Sequence, residues 1–267
     1  GNTMAGFASF GGIGGYIGKV AADQLGDVFR HDMKAMKVHY DTQPLIVGAP
    51  TGRCLILVTP DGERTMNTFL GAGVELSPDD IEEDLIKSSK ITYLEGYLFD
   101  PPQAKESYVY ASQLAHSAGN KVALTLSDPF CVERHREDFQ NIVSEHVDIL
   151  FANEQEIISL YQSDSFEDAV EKVKNLCEVI VLTRSELGSV ILYEGNQTAV
   201  EAENVNVVDS TGAGDQYAAG FLFGYTRNMP IEICGKLGTV AASEVISHMG
   251  PRPEVSYASL IDKAAAA

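Results

Sequence analysis

Positive charge is what this sequence has least of: 19 Lys and Arg stand against 38 Asp and Glu in 267 residues, a formal net charge of −19. Such a surface repels a phosphate backbone and an anionic bilayer alike, so neither nucleic acid nor a membrane is an expected main partner. The acidity by itself needs no ligand, because excess carboxylate keeps a protein in solution. Cysteine is sparse too. Cys54, Cys131, Cys177 and Cys234 form no C-x-x-C pair, and no histidine pair stands near them at metal-ligand spacing. They are expected as thiols of a reducing compartment. No apolar run approaches the roughly 20 residues that span a bilayer, and the first residues show no basic stretch leading into an apolar one. A cytoplasmic protein is the expectation.

What is present is a large core. With 45% of its residues hydrophobic, the chain can close one large α/β domain, or a domain with an appendage. Short apolar stretches at 91–94, 121–126, 149–152, 179–183 and 190–193 read as strands. They alternate with amphipathic stretches at 102–118, 134–145, 154–161 and 166–176, and two more helices are expected at 214–226 and 231–247. Strand-helix alternation predicts a parallel sheet covered by helices. Residues 51–70 break the pattern: Pro60-Asp61-Gly62 supplies turn chemistry between two strand-like runs, which predicts a hairpin acting as a lid, or else an edge hairpin of the main sheet. The chain opens on a helical 4–10 with no strand before it, so an opening strand N-terminal to Gly1 is expected.

The strongest chemical signal is Asp209-Ser210-Thr211-Gly212-Ala213-Gly214-Asp215, entered from an apolar 205–208 and followed by a helical 216–226. A glycine-rich turn that opens a helix points successive N–H groups into one concavity at the positive end of the helix dipole, which makes an anion site. Glycine at 212 and 214 lets the backbone approach a phosphate closely. A carboxylate beside such a turn is electrostatically unfavourable unless it has chemistry to perform. Accepting a proton from an attacking hydroxyl is that chemistry for Asp215; the alternative is a helix-start acid favoured by the dipole. Asn153-Glu154-Gln155-Glu156, directly after an apolar strand, reads on its own as an Asn cap with a first-turn acid. Residues 181–189 read on their own as a strand and an ordinary hairpin turn.

Together these segments resemble the PfkB, or ribokinase-like, family of carbohydrate and nucleoside kinases. The heptapeptide is similar to that family's C-terminal signature, which implies Asp215 as the base and the amides of Gly212, Ala213 and Gly214 as the anion hole over the phosphoryl group of ATP. The N-x-x-E match implies that Asn153 and Glu156 hold Mg²⁺ near the phosphates, largely through water. Residues 181–189 resemble the nucleotide-edge segment, commonly T-x-G-x-x-G. Thr183, Ser185 and Gly188 would then lie along ATP, with Ser185 standing where glycine is frequent. Phe10-Gly11-Gly12 to Gly26 is similar to the family's early glycine-rich region, and Asn2 matches the Asn of a sugar-binding motif whose preceding glycines are absent. The hairpin matches the β lid, from which Arg53 or Asn67 would reach substrate.

The resemblance implies a ribokinase-like three-layer sandwich with a mostly parallel central sheet, its core formed by 1–40 and 71–267 and its lid by 41–70. It implies an ATP- and Mg²⁺-dependent kinase acting on a hydroxyl of a small sugar or a nucleoside. Leu126-Ser127-Asp128-Pro129-Phe130 and Arg64-Thr65-Met66-Asn67 look close to bacterial members labelled sugar kinase or adenosine kinase. Such a lid either covers its own site or pairs with a second copy's in a homodimer. A nucleotide-binding regulator without turnover is the alternative, against which the intact Asp215 argues. A nicotinamide enzyme built on Gly11 to Lys19 is disfavoured by spacing: G-x-G-x-x-G from Gly12 would need glycine where Ile17 stands, and a Walker loop would need a hydroxyl where Val20 stands. The six scattered histidines are expected to be surface or core residues.

Overall fold

The computed structural model describes residues 1–99 and 101–266. In chain order it contains α1 (Asn2–Ser9), α2 (Gln24–Ala35), β1 (Arg53–Val58), β2 (Arg64–Phe69), α3 (Glu83–Ser88), β3 (Ile91–Glu95), α4 (Pro102–Ser117) and β4 (Lys121–Thr125). It continues through α5 (Pro129–Arg134), α6 (Arg136–His146), β5 (Ile149–Asn153), α7 (Glu154–Tyr161), α8 (Phe166–Val173), β6 (Val179–Thr183), β7 (Ser189–Tyr193) and β8 (Asn196–Val200). It ends with α9 (Ala213–Tyr225), α10 (Ile231–Val245) and α11 (Ile261–Ala266). Two compact units result: Gly1–Gly73 with Val200–Ala267, and Val74–Ala199.

The second unit holds a six-stranded sheet in the order β3-β4-β5-β6-β7-β8. Strands β3 to β6 are parallel, and β7 returns antiparallel to β6. The inner strands are unbroken apolar runs, as is usual for a parallel sheet; Val122 to Leu124, Ile149, Leu150 and Val179 to Leu182 are wholly buried. At their C-terminal ends the residues turn polar. Glu95 pairs with Thr125 and Asn153 with Thr183, one end of a sheet where α/β proteins take their ligands.

Two expectations change here. Residues 134–145 do not form one helix: His135 leaves helical geometry at φ −124°, ending α5, which Asp128 and Pro129 start as cap and first residue. The strand β8 carries the polar Asn196-Gln197-Thr198 and so escapes a reading built on apolar runs.

In the first unit β1 and β2 form a separate antiparallel two-stranded sheet, the hairpin expected as a lid. The unit's helices are α1, α2, α9, α10 and α11, joined by loops. Phe10, at the end of α1, stacks on Phe223 of α9 at 5.0 Å and lies 4.9 Å from the Tyr257 ring, within a cluster completed by Leu237, Val240 and Ala241. Burying a side chain like Phe10 contributes about 1.5–3 kcal/mol. The consequence is positional: this core clamps α1 along α9, so the first residues of α1 meet the first turn of α9. Nearby, Asp23 caps α2 by accepting from Gly26, and it also accepts from the Thr51 amide at 2.8 Å and the Thr51 hydroxyl at 2.6 Å. Those bonds, the Thr51 hydroxyl's first, hold its carboxyl below the ordinary range.

Candidate active site

The turn 209–215 is built by its own first residue. Asp209 is buried; one carboxylate oxygen accepts from the Thr211 amide (2.9 Å) and hydroxyl (2.6 Å), and the other from the Gly250 amide (2.9 Å). Burial works to raise its pKa, but these bonds and the nearby Arg64 charge outweigh it and hold the carboxyl below the ordinary value. An ionised Asp209 therefore locks the loop that carries Thr211 to the loop that carries Gly250.

Gly212 is the N-cap of α9 and sits at φ +85°, a left-handed conformation that favours glycine. A Cβ there would stand 2.8 Å from the Cβ and carbonyl oxygen of Pro251, whereas a Cβ on Gly214 would meet nothing within 4 Å. The two glycines thus differ in purpose. Gly212 is required by the fold, and Gly214 fronts open space where a ligand would approach the backbone. The amides of Gly214 and Asp215 come too early in α9 to have an intrahelical acceptor, and the helix dipole adds positive character at this end.

Asp215 is half-buried beside these amides. Its Oδ2 accepts from Asn2 Nδ2 at 3.1 Å and its Oδ1 from Thr3 Oγ1 at 3.0 Å. The carboxylate is therefore held by side chains from the far end of the sequence. Asn2, expected at the acceptor, is brought to the expected base, and Thr3 joins it; nothing in the sequence pattern distinguishes Thr3 from other residues of a small helix.

The lid presents a different residue from those expected. Pairing of Arg53 with Phe69 and of Val58 with Arg64 puts Arg53, Leu55, Leu57 and Asn67 on one face, and Arg64 on the other. Arg64 Nη1 reaches Ser210 Oγ at 2.7 Å, and that hydroxyl donates to the Gly62 carbonyl at 3.0 Å. Arg53 instead lies over the Phe69 ring, 5.6 Å from its centroid, and Asn67 donates to the Leu55 carbonyl at 3.4 Å. The geometry brings Arg64, not Arg53 or Asn67, to the glycine turn. Residues an odd number apart cannot share a strand face, so Arg64 and Asn67 point to opposite sides of the hairpin.

In the second unit Asn153 and Glu156 form a complete capping box on α7. Glu156 N donates to Asn153 Oδ1 (2.8 Å), Asn153 N to Glu156 Oε2 (2.9 Å), and Asn153 Nδ2 to Glu156 Oε1 (2.7 Å). Glu156 is only 5% exposed. Burial, and to a lesser degree the charge of Asp128, push its pKa to about 7 against the Asn153 amide, which lowers it. Next to Asn153 in the sheet, Thr183 leads into a turn whose Ser185 has φ +50° and whose Gly188 has φ +81°. That turn is anchored by Arg184, which forks onto Glu154 at 2.9 and 3.3 Å and lies 4.0 Å from the Phe166 ring centroid. Among the described residues no cluster of three His, Cys, Asp or Glu side chains is arranged to hold a metal, and no helix is long and apolar enough to cross a membrane.

The chain matches known proteins over nearly its whole length. Residues 1–256 fit the model of the pfkB family carbohydrate kinases. A probable sugar kinase from Rhizobium etli superposes with a TM-score of 0.96 at 50% identity, covering 99% of this chain and 81% of that one. An adenosine kinase from Sinorhizobium meliloti does so with the same score and identity over 98% of this chain and 81% of that one. A 5-dehydro-2-deoxygluconokinase from Geobacillus thermodenitrificans is 27% identical over 260 residues, 92% of this chain and 77% of the relative. The ribokinase-like fold, the glycine turn with its carboxylate and the family match over nearly the whole length agree, and the chain belongs to the pfkB family of carbohydrate kinases, phosphotransferases whose acceptor is an alcohol.

Proposed function

We propose that this kinase transfers the γ-phosphoryl group of ATP to a hydroxyl of a small sugar or a nucleoside, with Asp215 as the base. The observation that carries the reading is the half-buried Asp215 carboxylate, fixed by Asn2 and Thr3 beside the unsatisfied first amides of α9. A base must be oriented before the acceptor arrives, and two donors on two different oxygens leave one rotamer. The acceptor's hydroxyl gives its proton to Asp215 as it attacks. The amide of Gly214, with that of Ala213, whose one bond is a long 3.4 Å contact to the Ser210 carbonyl, and the turn set by Gly212 carry the negative charge that develops on the phosphoryl oxygens. Arg64, tethered to Ser210 of the same turn, supplies a cation on the lid's inner face, and lid closure excludes water that would otherwise consume ATP.

In the second unit Thr183, Ser185 and Gly188 are proposed to run along the nucleotide, and Asn153 with Glu156 to hold Mg²⁺. Each Glu156 oxygen already accepts a bond from Asn153 and the side chain is only 5% exposed, so a cation reaches it through water more readily than directly. A cation held through water keeps the cap and relieves the burial and the Asp128 repulsion that push the carboxyl to about 7. Mg²⁺ suits such a site, since it keeps several waters and needs only one or two carboxylates besides phosphate. When bound it would neutralise charge on the phosphates.

The decisive test is Asp215→Asn, with turnover followed by ADP release over a panel of adenosine, ribose, fructose and 5-dehydro-2-deoxygluconate. Turnover should fall by roughly three orders of magnitude with ATP affinity nearly unchanged; a variant near full turnover removes Asp215 from the role. The panel also separates the sugar from the adenosine reading, between which two structures at 50% identity stand equal.

The lid supports a homodimer. Leu55 and Leu57 are 71% and 65% exposed on its outer face, where Arg53 is the one charge in a chain of net −19. A second copy can approach there without carboxylate repulsion, and an isolated two-stranded sheet gains most from such cover. Sedimentation should show a dimer that Leu57→Asp converts to monomer; a wild-type monomer at every concentration tested would end this part of the proposal. The cytoplasm is the proposed compartment, since all four cysteines are free and burial pushes Cys177 and Cys234 to about 12.

A further inference from the structure

Gln216 directly follows the carboxylate and is fully buried. Its Nε2 donates to two carbonyls from distant parts of the chain, Asn2 O at 3.0 Å and Pro251 O at 2.9 Å. Because both partners are acceptors, the amide group can take only one orientation, with its NH₂ toward them. That orientation leaves Gln216 Oε1 buried without a hydrogen-bond partner among the described residues. A buried unpaired acceptor destabilises the fold. An apolar side chain would avoid the cost, so what the NH₂ group holds is the feature to explain.

It holds the two segments on either side of the reacting carboxylate. Asn2, whose carbonyl it binds, sends its own side chain to Asp215 Oδ2, and Thr3 beside it donates to Oδ1. Pro251, whose carbonyl is the other partner, abuts Gly212, the residue that aims the first amides of α9. The fit around the carboxamide is close: a Cβ on Gly6 of α1 would lie 2.0 Å from Gln216 Oε1. One carboxamide thus ties the first turn of α1 and the 250–252 loop to the first turn of α9.

Resting on the reading of Asp215 as the base, we propose that Gln216 is its positioning residue, holding Asn2 and Thr3 on the carboxylate and Pro251 against Gly212. It touches neither phosphate nor acceptor; it acts through the residues that do.

The test uses the full chain, ATP and whichever acceptor of the panel is turned over fastest. Gln216→Met keeps the volume and removes both donors. The expected result is a fall in kcat of roughly ten- to a hundredfold, with KM for ATP within about threefold of wild type. Thr3→Ala supplies the second readout: if Gln216 acts through the donors of Asp215, the double variant loses less than the product of the single losses. A role confined to packing would instead lower the melting temperature, leave kcat intact below it, and combine multiplicatively with Thr3→Ala; either kinetic outcome overturns the proposal. Should Gln216→Met fail to fold, Gln216→Asn withdraws the same amide by one methylene and is read by the same two measurements. Failure of the base reading is distinct, because Asp215→Asn would then retain turnover whatever Gln216 does.

Discussion

Asp215 and Glu156 occupy the same position in their helices, the third residue after an N-cap, yet they meet opposite surroundings. At α7 the cap is Asn153, whose side chain and backbone consume both Glu156 oxygens, and the carboxylate is buried. At α9 the cap is Gly212, which has no side chain to offer. Both the first amides and the Asp215 carboxylate are left over, and the carboxylate takes its donors from α1 instead. Replacing a capping side chain by glycine converts a self-satisfied helix end into one that can bind an anion and present a base. The local arrangement stabilises a fold, and the long-range one prepares a reaction.

Substitutions at the two positions should therefore fail in different currencies. Asp215→Asn is expected to have the largest effect, about a thousandfold on kcat, while thermal unfolding changes little because the amide oxygen still accepts from Asn2 or Thr3. Were Asp215 only a helix-start acid like Glu156, the same change would appear in unfolding and not in turnover.

Glu156→Gln should show itself in unfolding as well, through pH. Below about 4.5 the carboxyl is protonated in both the folded and the unfolded chain and burial costs nothing. As pH rises toward about 7 the unfolded chain releases the proton and the folded chain keeps it, so Glu156 progressively lowers stability until the folded group ionises too. The loss between those limits is on the order of 3 kcal/mol. In urea unfolding at a series of pH values, the stability of Glu156→Gln relative to wild type should rise from pH 4.5 to 7 and then level off. Excess Mg²⁺ should stabilise the wild type above pH 7 and the variant hardly at all. A flat difference across the series would mean that the carboxyl is not held protonated by burial.

The same contrast explains what could be read from the sequence. Apolar periodicity located the parallel strands and most helices within a few residues, and the turn 209–215 was legible because its glycines, its acid and its place before a helix lie within seven residues. The capping box at Asn153 was legible for the same reason. What could not be read were contacts closed by the fold: Asn2 and Thr3 on Asp215, Gln216 between Asn2 and Pro251, and Arg64 on Ser210. The likeness of the hairpin to the β lid points to Arg53 and Asn67 without fixing a face, and strand register puts them on the face opposite Arg64. The role of Asp209 is closed by the fold as well, because an acid three residues before Gly212 looks ordinary until its three donors are seen.

The smallest expected effect compares the two left-handed turns. Gly212 and Ser185 both have positive φ, +85° and +50°, but only one is glycine. Ser185 has a Cβ that crowds the backbone in that region, a strain of order 1 kcal/mol, and it is exposed, so burial offsets none of it. The anchors of the turn lie elsewhere, in the Arg184 fork and the short Arg184 amide to Gly188 carbonyl bond of 2.7 Å. Ser185→Gly should therefore relieve the strain without loosening the turn, at the expense of some unfolded-state entropy. The net gain is a few tenths of a kcal/mol, or roughly 1 °C in Tm. If Ser185→Gly lowers Tm instead, the hydroxyl or the Cβ holds the turn, and the likeness between the two turns ends at their dihedral angles.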